Sequence, residues 1–512
     1  MPLPSPAAPG ASAGASPGDS AGTPSGQATV LGALRSPRAL LREALAGLVV
    51  ALALIPEAIS FSVIAGVDPK VGLFSSFIMA VSIAFLGGRP AMITAATGAV
   101  ALVIAPVMRD HGFDYFIATV LLAGLLQIVL AVVGVAKLMR FIPRSVMVGF
   151  VNALALLVFG AQLPELIGVP WAVYPLVAAG ILIVVFFPKL TRVVPAPLVS
   201  VVIVTAAAVV FALNVPTVGD KGELPTSLPA FFFPDVPLTW ETLGIIGPFA
   251  LGMAFVGLME SLMTAKLVDD ITDTPSNKTR ETWAQGAANI LSGCFGGMGG
   301  CAVVGQTMIN VKVSGARTRV STFLAGAFLL VLILVLGDVV SLIPMAALVA
   351  VMIMVSIATF DWHSIAPATL KRLPKSETLV MLVTVTFVLL THNLAIGVVA
   401  GVAAAAIMFV RRVAHVVAVE RTVAASVATY TVRGELFFAS SNDLTTMFNY
   451  AGDPERVVID MTHSHIWDAS SVAALDAIAT KYARRGKSVE LIGMNPRTRT
   501  MHERLSGELG VE

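Results

Sequence analysis

The stretch "SGCFGGMGGCAVVGQTMINV", residues 292–311, places six glycines inside a sequence that otherwise has the character of a membrane helix. Such a segment indicates a helix that is interrupted within the membrane, although an ordinary helix with small residues for close packing is the alternative. A phosphate-binding loop is a weak interpretation, because no Lys-Ser or Lys-Thr pair follows the glycines and no strand precedes them. A matching stretch elsewhere in the chain favours the interrupted helix.

That counterpart is "RPAMITAATGAVALVIAPVM", residues 89–108, in which Arg89, Pro90 and a small polar cluster precede an apolar run. Each stretch is the third membrane segment of a seven-segment half, which is the pattern of a transporter built from inverted repeats. A helix that starts in mid-membrane leaves its first amide groups unpaired and directed at the site. Two such ends facing each other form a positive cradle that binds an anion without a formal charge.

The composition indicates a polytopic α-helical membrane protein. Of the 512 residues, 56% are hydrophobic and 12% are charged, against about one quarter charged in soluble domains. Two cysteines without further Cys or His partners make neither a disulfide framework nor a zinc site. Apolar runs of about 20 residues are long enough to cross a bilayer. They predict fourteen membrane segments, at residues 44–66, 71–87, 94–108, 114–136, 145–161, 171–187, 194–213, 243–267, 282–295, 302–312, 319–336, 341–358, 377–391 and 394–410.

The distribution of basic residues predicts the orientation of the chain. With both ends in the cytoplasm, 21 of the 33 Lys and Arg residues fall on the cytoplasmic side of the membrane domain and 3 fall on the outer side. The other 9 lie in the C-terminal domain. Because Lys and Arg favour the cytoplasmic side, this asymmetry supports an even number of spans with both termini in the cytoplasm. We therefore expect a multi-pass protein of the inner (plasma) membrane.

Changes of composition predict four regions. Residues 1–34 are rich in Pro, Ala, Gly and Ser and are expected to form a disordered tail, since they bury too little surface to offset the entropy of ordering. Residues 35–412 form the membrane domain, and residues 413–426 form a linker. In residues 427–512, strand patterns such as "RVVIDMTHSHIW" alternate with helical patterns, which predicts a cytoplasmic α/β domain.

Two glutamates lie in predicted membrane segments at equivalent positions of the two halves, Glu57 in the first and Glu260 in the eighth. A charge at the membrane centre is unfavourable by about 3 kcal/mol, so each side chain is expected to face the protein interior or a cavity. Burial disfavours the charged form of a carboxyl group, which lets it exchange a proton near neutral pH and couple that proton to a neighbouring anion. A structural role stays open for both, with Lys266 as partner of Glu260 and with amides freed by Pro56 as partners of Glu57.

Three stretches resemble the sulfate permease family, the solute carrier 26 group of anion transporters. "GLVVALALIPEAISFSVIAGVDPKVGLFSSFI", residues 47–78, resembles the first two membrane segments of that family. "VSGARTRVS", residues 313–321, is similar to the stretch that follows its tenth segment. "VVIDMTHSHIWDASSVAAL", residues 457–475, is similar to the STAS domain that the family shares with anti-sigma-factor antagonists. The resemblance extends over residues 35–512.

The resemblance implies fourteen helices in a seven-plus-seven inverted repeat, with core and gate domains like those of uracil permease, a C-terminal STAS domain and a homodimer in the lipid bilayer. It implies transport of small anions such as sulfate, bicarbonate, chloride or dicarboxylates. Glu260 takes the position where sodium-coupled bicarbonate members carry an Asp, and with Thr264 it is expected to bind the coupling ion. The expected anion site consists of Glu57, Phe61, Thr94, Ala96, Thr97, Gly98, Gly300, Cys301, Ala302 and Gln306.

Two departures from the family pattern favour proton coupling. The family usually has Gln where this chain has Glu57, and many members have an Arg near the start of the tenth segment, where this chain has Gln306. Without that Arg, anion binding would depend on the helix ends, and a carboxylate in the cation position suits a proton better than sodium. Proton-coupled symport by alternating access is the preferred mechanism. Sodium-coupled symport, anion exchange and uncoupled flux are the alternatives.

Other function classes stay open. Nucleobase permeases resemble the same membrane fold, but they lack the soluble domain. A membrane-anchored signalling protein would act through that domain, where Ser470 matches the serine that is phosphorylated in the antagonist proteins. Capping of the following helix by Asp468 or a neighbouring serine is the preferred interpretation of this motif. The sequence contains no catalytic triad, metal cluster or phosphate loop, so we expect no enzyme activity, cofactor, metal or nucleic-acid partner.

Overall fold

The computed structural model describes residues 29–138, 142–190, 195–414, 417–424 and 426–507. The chain divides into two compact units. The first unit contains the residues up to 136 and residues 165–351, and the second contains residues 137–164 and the residues from 352 onwards. Each unit contains helices from both halves of the chain.

Every one of the fourteen predicted membrane segments contains a helix, and we number these helices in chain order. Their bounds are α1 Pro37–Ala65, α2 Pro69–Leu86, α3 Gly98–His111, α4 Phe113–Val133, α5 Arg144–Gly160, α6 Val173–Leu190, α7 Ala196–Val210, α8 Trp240–Thr272, α9 Lys278–Cys294, α10 Val304–Met308, α11 Arg319–Val335, α12 Met345–Thr359, α13 Lys375–Thr391 and α14 Leu394–Ala414. By length and composition, seven of the described helices can cross a membrane (α1, α2, α4, α5, α6, α8 and α14), and α7, α11 and α12 are shorter apolar helices. The seven-plus-seven arrangement predicted from the sequence is the architecture of the chain.

Local sequence explains where α1 begins and ends. The Ser36 hydroxyl accepts a hydrogen bond from the amide of Ala39 at 3.4 Å, and Pro37 occupies the first helical position, where a missing amide proton has no consequence. Gly66 then ends the helix with φ +76°, a conformation that favours glycine. This helix begins before the predicted start at residue 44.

The four-region prediction needs correction at its first boundary. Residues 1–28 of the predicted tail lie outside the described residues. Residues 29–34, however, are not part of a disordered tail, because Thr29 caps a short helix, Val30–Arg35, by accepting a hydrogen bond from the amide of Gly32 at 3.1 Å. A capped helical turn therefore precedes α1, with only Ser36 between the two helices.

In the first unit, helices of the two halves pack against each other. Helix α11 packs on α1 and α2, and α9 packs on α4 and α2. Glycines allow the closest approach: a Cβ atom at Gly124 of α4 would lie 2.7 Å from the carbonyl oxygen of Gly286 in α9, and a Cβ atom at Gly286 would lie 2.5 Å from the carbonyl oxygen of Gly124. Small residues at such contacts let membrane helices pack backbone to backbone.

Charged side chains make contacts with distant parts of the sequence at the start of α1 and just beyond its end. At the start of α1, the buried Glu43 carboxylate accepts hydrogen bonds from the amides of Arg317 and Thr318, before α11. Beyond its end, Lys70 pairs with Glu223. The positive-inside argument assigns Arg317 to the cytoplasm and Lys70 to the outside. The fold therefore keeps these two basic residues at opposite ends of one helix, as that argument requires.

In the second unit, α5 packs against α13 and α14. Gly149 of α5 faces Thr384 of α13, where an added Cβ atom would lie 2.7 Å from the Thr384 Cβ. Asn152 of α5 donates a hydrogen bond to Ser364 at 2.9 Å and accepts one from the amide of Asp361 at 2.8 Å. Ser364 belongs to the short helix Trp362–Ile365, and Asp361 immediately precedes that helix. A second short helix, Pro367–Arg372, follows it.

Two short strands, β1 Thr94–Ala95 and β2 Cys301–Ala302, belong to the first unit. The C-terminal domain contains a four-stranded sheet in the order β3-β4-β5-β6. The strands are β3 Ala418–Ala424, β4 Val427–Leu436, β5 Arg456–Ile466 and β6 Ser488–Ile492, and the helices are α15 Phe438–Leu444, α16 Ala469–Ala483 and α17 Pro496–Leu505. Strands β4, β5 and β6 are parallel, and β3 is antiparallel to β4. The predicted linker of residues 413–426 is therefore wrong in part, because its residues 418–424 form the edge strand of this domain.

A buried carboxylate connects β3 and β4 to the rest of the C-terminal domain. Asp453 accepts hydrogen bonds from the hydroxyl groups of Tyr430 at 2.6 Å and Tyr482 at 2.5 Å, and from Arg421 Nε at 2.8 Å. Burial raises the pKa of Asp453, but these hydrogen bonds and the Arg421 charge outweigh it and hold the pKa below its usual range. Burial and the hydrogen bond to Asp453 raise the pKa of Tyr482.

Candidate functional site

Two short strands from different halves of the chain pair inside the first unit. β1 (Thr94–Ala95) and β2 (Cys301–Ala302) are antiparallel, with Thr94 directly opposite Ala302. Both strands are buried. Each leads within a few residues into a half-helix, α3 or α10. The interruptions predicted for the third and tenth membrane segments are therefore present, and they lie side by side.

Polar side chains satisfy the extended backbone that precedes α3. Thr307 Oγ1 accepts a hydrogen bond from the amide of Ile93 at 3.0 Å, and Asn310 Nδ2 donates to the carbonyl of Ala91 at 2.8 Å. The carbonyl of Ile93 accepts from the amide of Val303 at 2.9 Å. Irregular backbone at membrane depth is tolerated where the protein itself satisfies it, and these contacts do so.

The backbone that precedes α10 is held in the same manner. Asn289 Oδ1 accepts from the amide of Gly300 at 2.8 Å, and Asn289 Nδ2 donates to the carbonyl of Gly300 at 3.2 Å and to Gln127 Oε1 at 2.9 Å. Ser261 Oγ accepts from the amide of Ala302 at 3.0 Å. These contacts fix the main chain of Gly300 on both sides.

The starts of the two half-helices provide positive partial charge. Thr97 precedes α3 in an extended conformation, and its hydroxyl accepts from the amide of Val100 at 3.4 Å. Val303, before α10, gives no side-chain cap. The remaining first-turn amides carry the positive end of each helix dipole, which suits an anion. A π-helical turn, Ile309–Val313, follows α10; such turns are frequent at functional sites.

We use the name crossing for the place where β1 (Thr94–Ala95) pairs with β2 (Cys301–Ala302) and where α3 and α10 begin. Glu260 lies next to this crossing. It belongs to α8, is 9% exposed, and its Oε2 atom accepts a hydrogen bond from Cys301 Sγ at 2.9 Å. Cys301 Sγ in turn lies 3.1 Å from Thr97 Oγ1. The three side chains form a continuous hydrogen-bonded chain from the carboxyl group on α8, through β2, to the cap of α3.

Glu57 forms a separate pair. It lies on α1, is 8% exposed and interacts with the side chain of Gln306 on α10. Phe61, one turn later on α1, is also buried. The ion pairs found among the described residues include neither Glu57 nor Glu260. Lys266, the alternative partner of Glu260, pairs with Asp270 instead.

Most of the residues predicted for the site lie at this crossing, and all of those are buried. The other two predicted positions discussed next, Thr264 and Ser470, have different surroundings. The Thr264 hydroxyl donates to the backbone carbonyl of Glu260 at 2.8 Å, within α8, and not to its carboxyl group. Ser470 is exposed on α16, while Asp468 caps that helix by accepting from the amide of Ser471 at 3.0 Å. The preferred capping interpretation of this motif agrees with that geometry.

Sequence reasoning missed the polar residues that hold the crossing, Gln127, Ser261, Gln285, Asn289 and Asn310. All five are buried. Each is a polar residue in a membrane-segment sequence, and that rarity is a usable signal, because a buried polar group needs a partner. Among the described residues, no group of three or more His, Cys, Asp and Glu side chains is arranged to hold a metal ion.

Comparison with known proteins identifies the family of the membrane domain. The model of the sulfate permease family matches residues 40–179 and 171–384. The chain belongs to the sulfate permease family. The STAS domain model matches residues 418–507, which places the edge strand β3 inside the STAS domain, as the structure does. This is a family of anion transporters, and the chain is a multi-pass membrane protein of that family.

Relatives and solved structures agree with this membership. The Bacillus subtilis protein "Putative sulfate transporter YbaR" is 50% identical over 465 residues, 91% of this chain and 97% of its own. The Picosynechococcus bicarbonate transporter BicA is 24% identical, over 90% of this chain and 89% of its own. The murine Solute Carrier 26 family member A9 anion transporter, solved in its inward-facing state, has a TM-score of 0.77 at 17% identity and covers 91% of this chain and 87% of its own, which shows the same fold.

Proposed function

We propose that this chain is a secondary active transporter that carries a small anion of the sulfate, bicarbonate or dicarboxylate class together with a proton. The anion would bind between the starts of α3 and α10, at the residues predicted from the sequence. The observation that carries the proposal is the position of Glu260, a buried carboxyl group in hydrogen-bond contact with Cys301 at the crossing of the two half-helices.

Among the described residues, no Lys or Arg side chain forms an ion pair with Glu260, and this favours a proton as the coupled ion. The ion pairs of the described residues leave both buried glutamates of the site without a Lys or Arg partner. A buried carboxylate without a counter-charge is unfavourable, and it is stabilised either by taking up a proton or by binding a mobile cation. A proton needs no ligand cage, whereas sodium needs several oxygen ligands. Thr264, the expected second ligand, directs its hydroxyl to a backbone carbonyl.

Anion binding would depend on the half-helix ends. The lining of the crossing offers the Thr94 and Thr97 hydroxyls, the Gln306 amide and main-chain amides, but no basic side chain of the predicted site. Protonation of Glu260 would remove a negative charge beside the anion and so favour its binding. Alternating access would then release both ions on the other side, with the protein as a homodimer in the plasma membrane and the STAS domain in the cytoplasm.

Uptake by the purified, full-length protein in liposomes tests this function. Radiolabelled sulfate, bicarbonate and a small dicarboxylate are each added outside the liposomes, with the outside solution either more acidic than the inside or at the same pH. Each condition is measured with and without sodium. We expect uptake of one of these anions, stimulated by the proton gradient and insensitive to sodium. Uptake that requires sodium would move Glu260 into a cation site. A lack of uptake of all three under both gradients would favour a nucleobase permease or a signalling protein.

A further inference from the structure

The thiol of Cys301 lies within the proposed anion site, but anion binding alone gives its proton no role. It is fully buried and lies between two oxygen atoms, Glu260 Oε2 at 2.9 Å and Thr97 Oγ1 at 3.1 Å. A thiol has one proton to donate and sulfur lone pairs that accept weakly. We propose that Cys301 is a hydrogen-bond switch that makes anion binding at Thr97 depend on the protonation of Glu260.

The switch has a defined direction when Glu260 is ionised. A carboxylate only accepts hydrogen bonds, so the single Cys301 proton is donated to Glu260 Oε2. The sulfur then presents only lone pairs to Thr97. The Thr97 hydroxyl therefore donates its proton to Cys301 Sγ and has none for a bound anion, while its oxygen accepts from the amide of Val100.

The direction reverses when Glu260 binds a proton. The carboxyl O–H now donates to Cys301 Sγ, and the thiol proton turns towards Thr97 Oγ1. Thr97 has two lone pairs, which accept from the thiol and from the Val100 amide, so its own proton is free to be donated to an anion. No covalent bond changes apart from the O–H bond formed by the incoming proton. Because sulfate and similar anions accept hydrogen bonds, the protonated arrangement binds them better.

Linkage makes this effect reciprocal. If protonation of Glu260 increases anion affinity by some factor, the bound anion increases proton affinity at Glu260 by the same factor. One hydrogen bond at a buried site contributes about three- to tenfold in affinity. This mechanism deepens the proposed function and rests on it, but it assigns the coupling to a particular thiol and a particular hydroxyl.

The charged groups around α8 form no described ion pair with Glu260, so the hydrogen bond from Cys301 is the side-chain contact considered for its carboxyl group. Helix α8 packs against α3, α4, α9, β2 and α10. Apart from Cys301 on β2, which is part of the switch, the charged and titratable side chains on these elements lie near helix ends, and none of the described ion pairs joins one of them to Glu260. On α8 itself they are Glu241, Lys266, Asp269 and Asp270, and on its neighbours they are Arg109, Asp110, His111, Asp114, Tyr115, Lys278, Arg280, Glu281, Cys294 and Cys301.

Transport measurements separate the switch from the proposed function. The KM for radiolabelled sulfate is measured in liposomes at about pH 6 and about pH 8 for the wild-type chain, Cys301→Ala, Cys301→Ser and the control Cys294→Ala. We expect the ratio of the two KM values to shrink about three- to tenfold in Cys301→Ala. It should recover in Cys301→Ser, whose hydroxyl also accepts and donates. The Cys294→Ala ratio should match the wild type, because Cys294 lies at the end of α9, outside the hydrogen-bonded chain.

Two different results contradict two different claims. If acidification lowers the KM of the wild type and lowers that of Cys301→Ala by the same factor, the switch is overturned and proton coupling stands. A wild-type KM without pH dependence contradicts proton coupling itself, and the switch with it.

Infrared spectroscopy tests the switch without transport. In the Cys294→Ala background, Cys301 is the sole thiol, so the S–H stretching band reports its hydrogen bond. We expect the band to move to higher frequency on acidification, because the thiol exchanges a carboxylate acceptor for a hydroxyl acceptor. Replacing Glu260 with Gln should abolish that movement. A band that stays constant over the whole pH range would overturn the proposal whichever anion is transported.

Discussion

Thr94 and Ala302 lie directly opposite each other in one antiparallel pair, although Thr94 belongs to the first half of the chain and Ala302 to the second. Main-chain pairing therefore joins the two half-helices that follow, α3 and α10. Any motion that carries a bound anion has to move both half-helices together, because separating them would leave main-chain amides and carbonyls unpaired at membrane depth. Within the first unit, we therefore expect the crossing to move as one rigid element.

Replacing Glu260 with Gln is expected to uncouple transport from pH. The amide is close in size and keeps an acceptor for the Cys301 thiol, but it cannot gain or lose a proton. We expect the variant to fold and to lose most of the acid stimulation of uptake, measured as initial rates in liposomes over a range of outside pH. The control is Glu241→Gln, an exposed glutamate in the first turn of the same helix. Unchanged pH dependence in Glu260→Gln would exclude its coupling role.

Replacing Asp453 with Asn is expected to loosen the STAS domain. The carboxylate receives hydrogen bonds from two tyrosines and pairs with Arg421, and loss of its charge should lower the local stability by about 2 kcal/mol. Hydrogen-exchange mass spectrometry on the full chain should show faster exchange in β3 and β4. The exposed Asp443→Asn serves as control. Equal exchange rates in both variants would mean that the buried hydrogen-bond network contributes little to the stability of the STAS domain.

The same carboxylate predicts a pH dependence. Because the pKa of Asp453 is held below its usual range in the folded domain, its contribution to stability is present above the pKa of the unfolded chain, about 4. That contribution is lost as the pH falls through the lower native value. The stability difference between wild type and Asp453→Asn should therefore narrow in acid and stay constant near neutral pH. A difference that grows in acid would contradict this sign.

Substitutions of Asp468 and Ser470 are expected to have different effects on the stability of α16, although the two residues are close in sequence. Asp468 caps α16 and also accepts from the amide of Phe438 at 2.6 Å, so Asp468→Ala should lower the stability of this helix by about 1 kcal/mol. Ser470 is exposed, and Ser470→Ala should leave hydrogen exchange of α16 and anion uptake unchanged. Loss of uptake in Ser470→Ala alone would point to a regulatory serine.

The sequence contained enough information for the architecture because its signals are local. Apolar runs, basic loops and glycine clusters each follow from the physics of the bilayer, and together they located all fourteen membrane helices. The edge strand at residues 418–424 was missed because an exposed strand carries no apolar pattern: six of its seven residues are exposed. Its pairing with β4 is what makes it a strand.

The contacts within the site could not be predicted because they join distant parts of the chain. Nothing around Cys301 in the sequence indicates that its thiol meets Glu260 and Thr97, which come from two other segments. The same is true of Asn289, whose amide group holds Gly300. Polar residues within membrane segments indicate that a partner exists, but only the packing of the helices identifies that partner.

Gly300 and Gly305 provide the sharpest test of the crossing. A Cβ atom at Gly300 would lie 1.9 Å from the carbonyl oxygen of Ala95, backbone that cannot move without breaking the strand pair. A Cβ atom at Gly305, in the first turn of α10, meets no atom within 4 Å. We expect Gly300→Ala to abolish uptake, and Gly305→Ala to preserve the fold and raise its stability by up to about 1 kcal/mol through better helix propensity.

The measurement is uptake in liposomes combined with thermal unfolding of the purified variants. Gly300→Ala should unfold at a lower temperature than the wild type or, where it remains folded, fail to bind the anion, because β1 and β2 are forced apart. Gly305→Ala is the control. If it keeps the fold while Gly300→Ala does not, the damage comes from the close contact at Gly300 and not from any larger residue in this segment. Wild-type uptake in Gly300→Ala would mean that the two half-helices do not cross at this distance, and the anion site between them would have to be placed elsewhere.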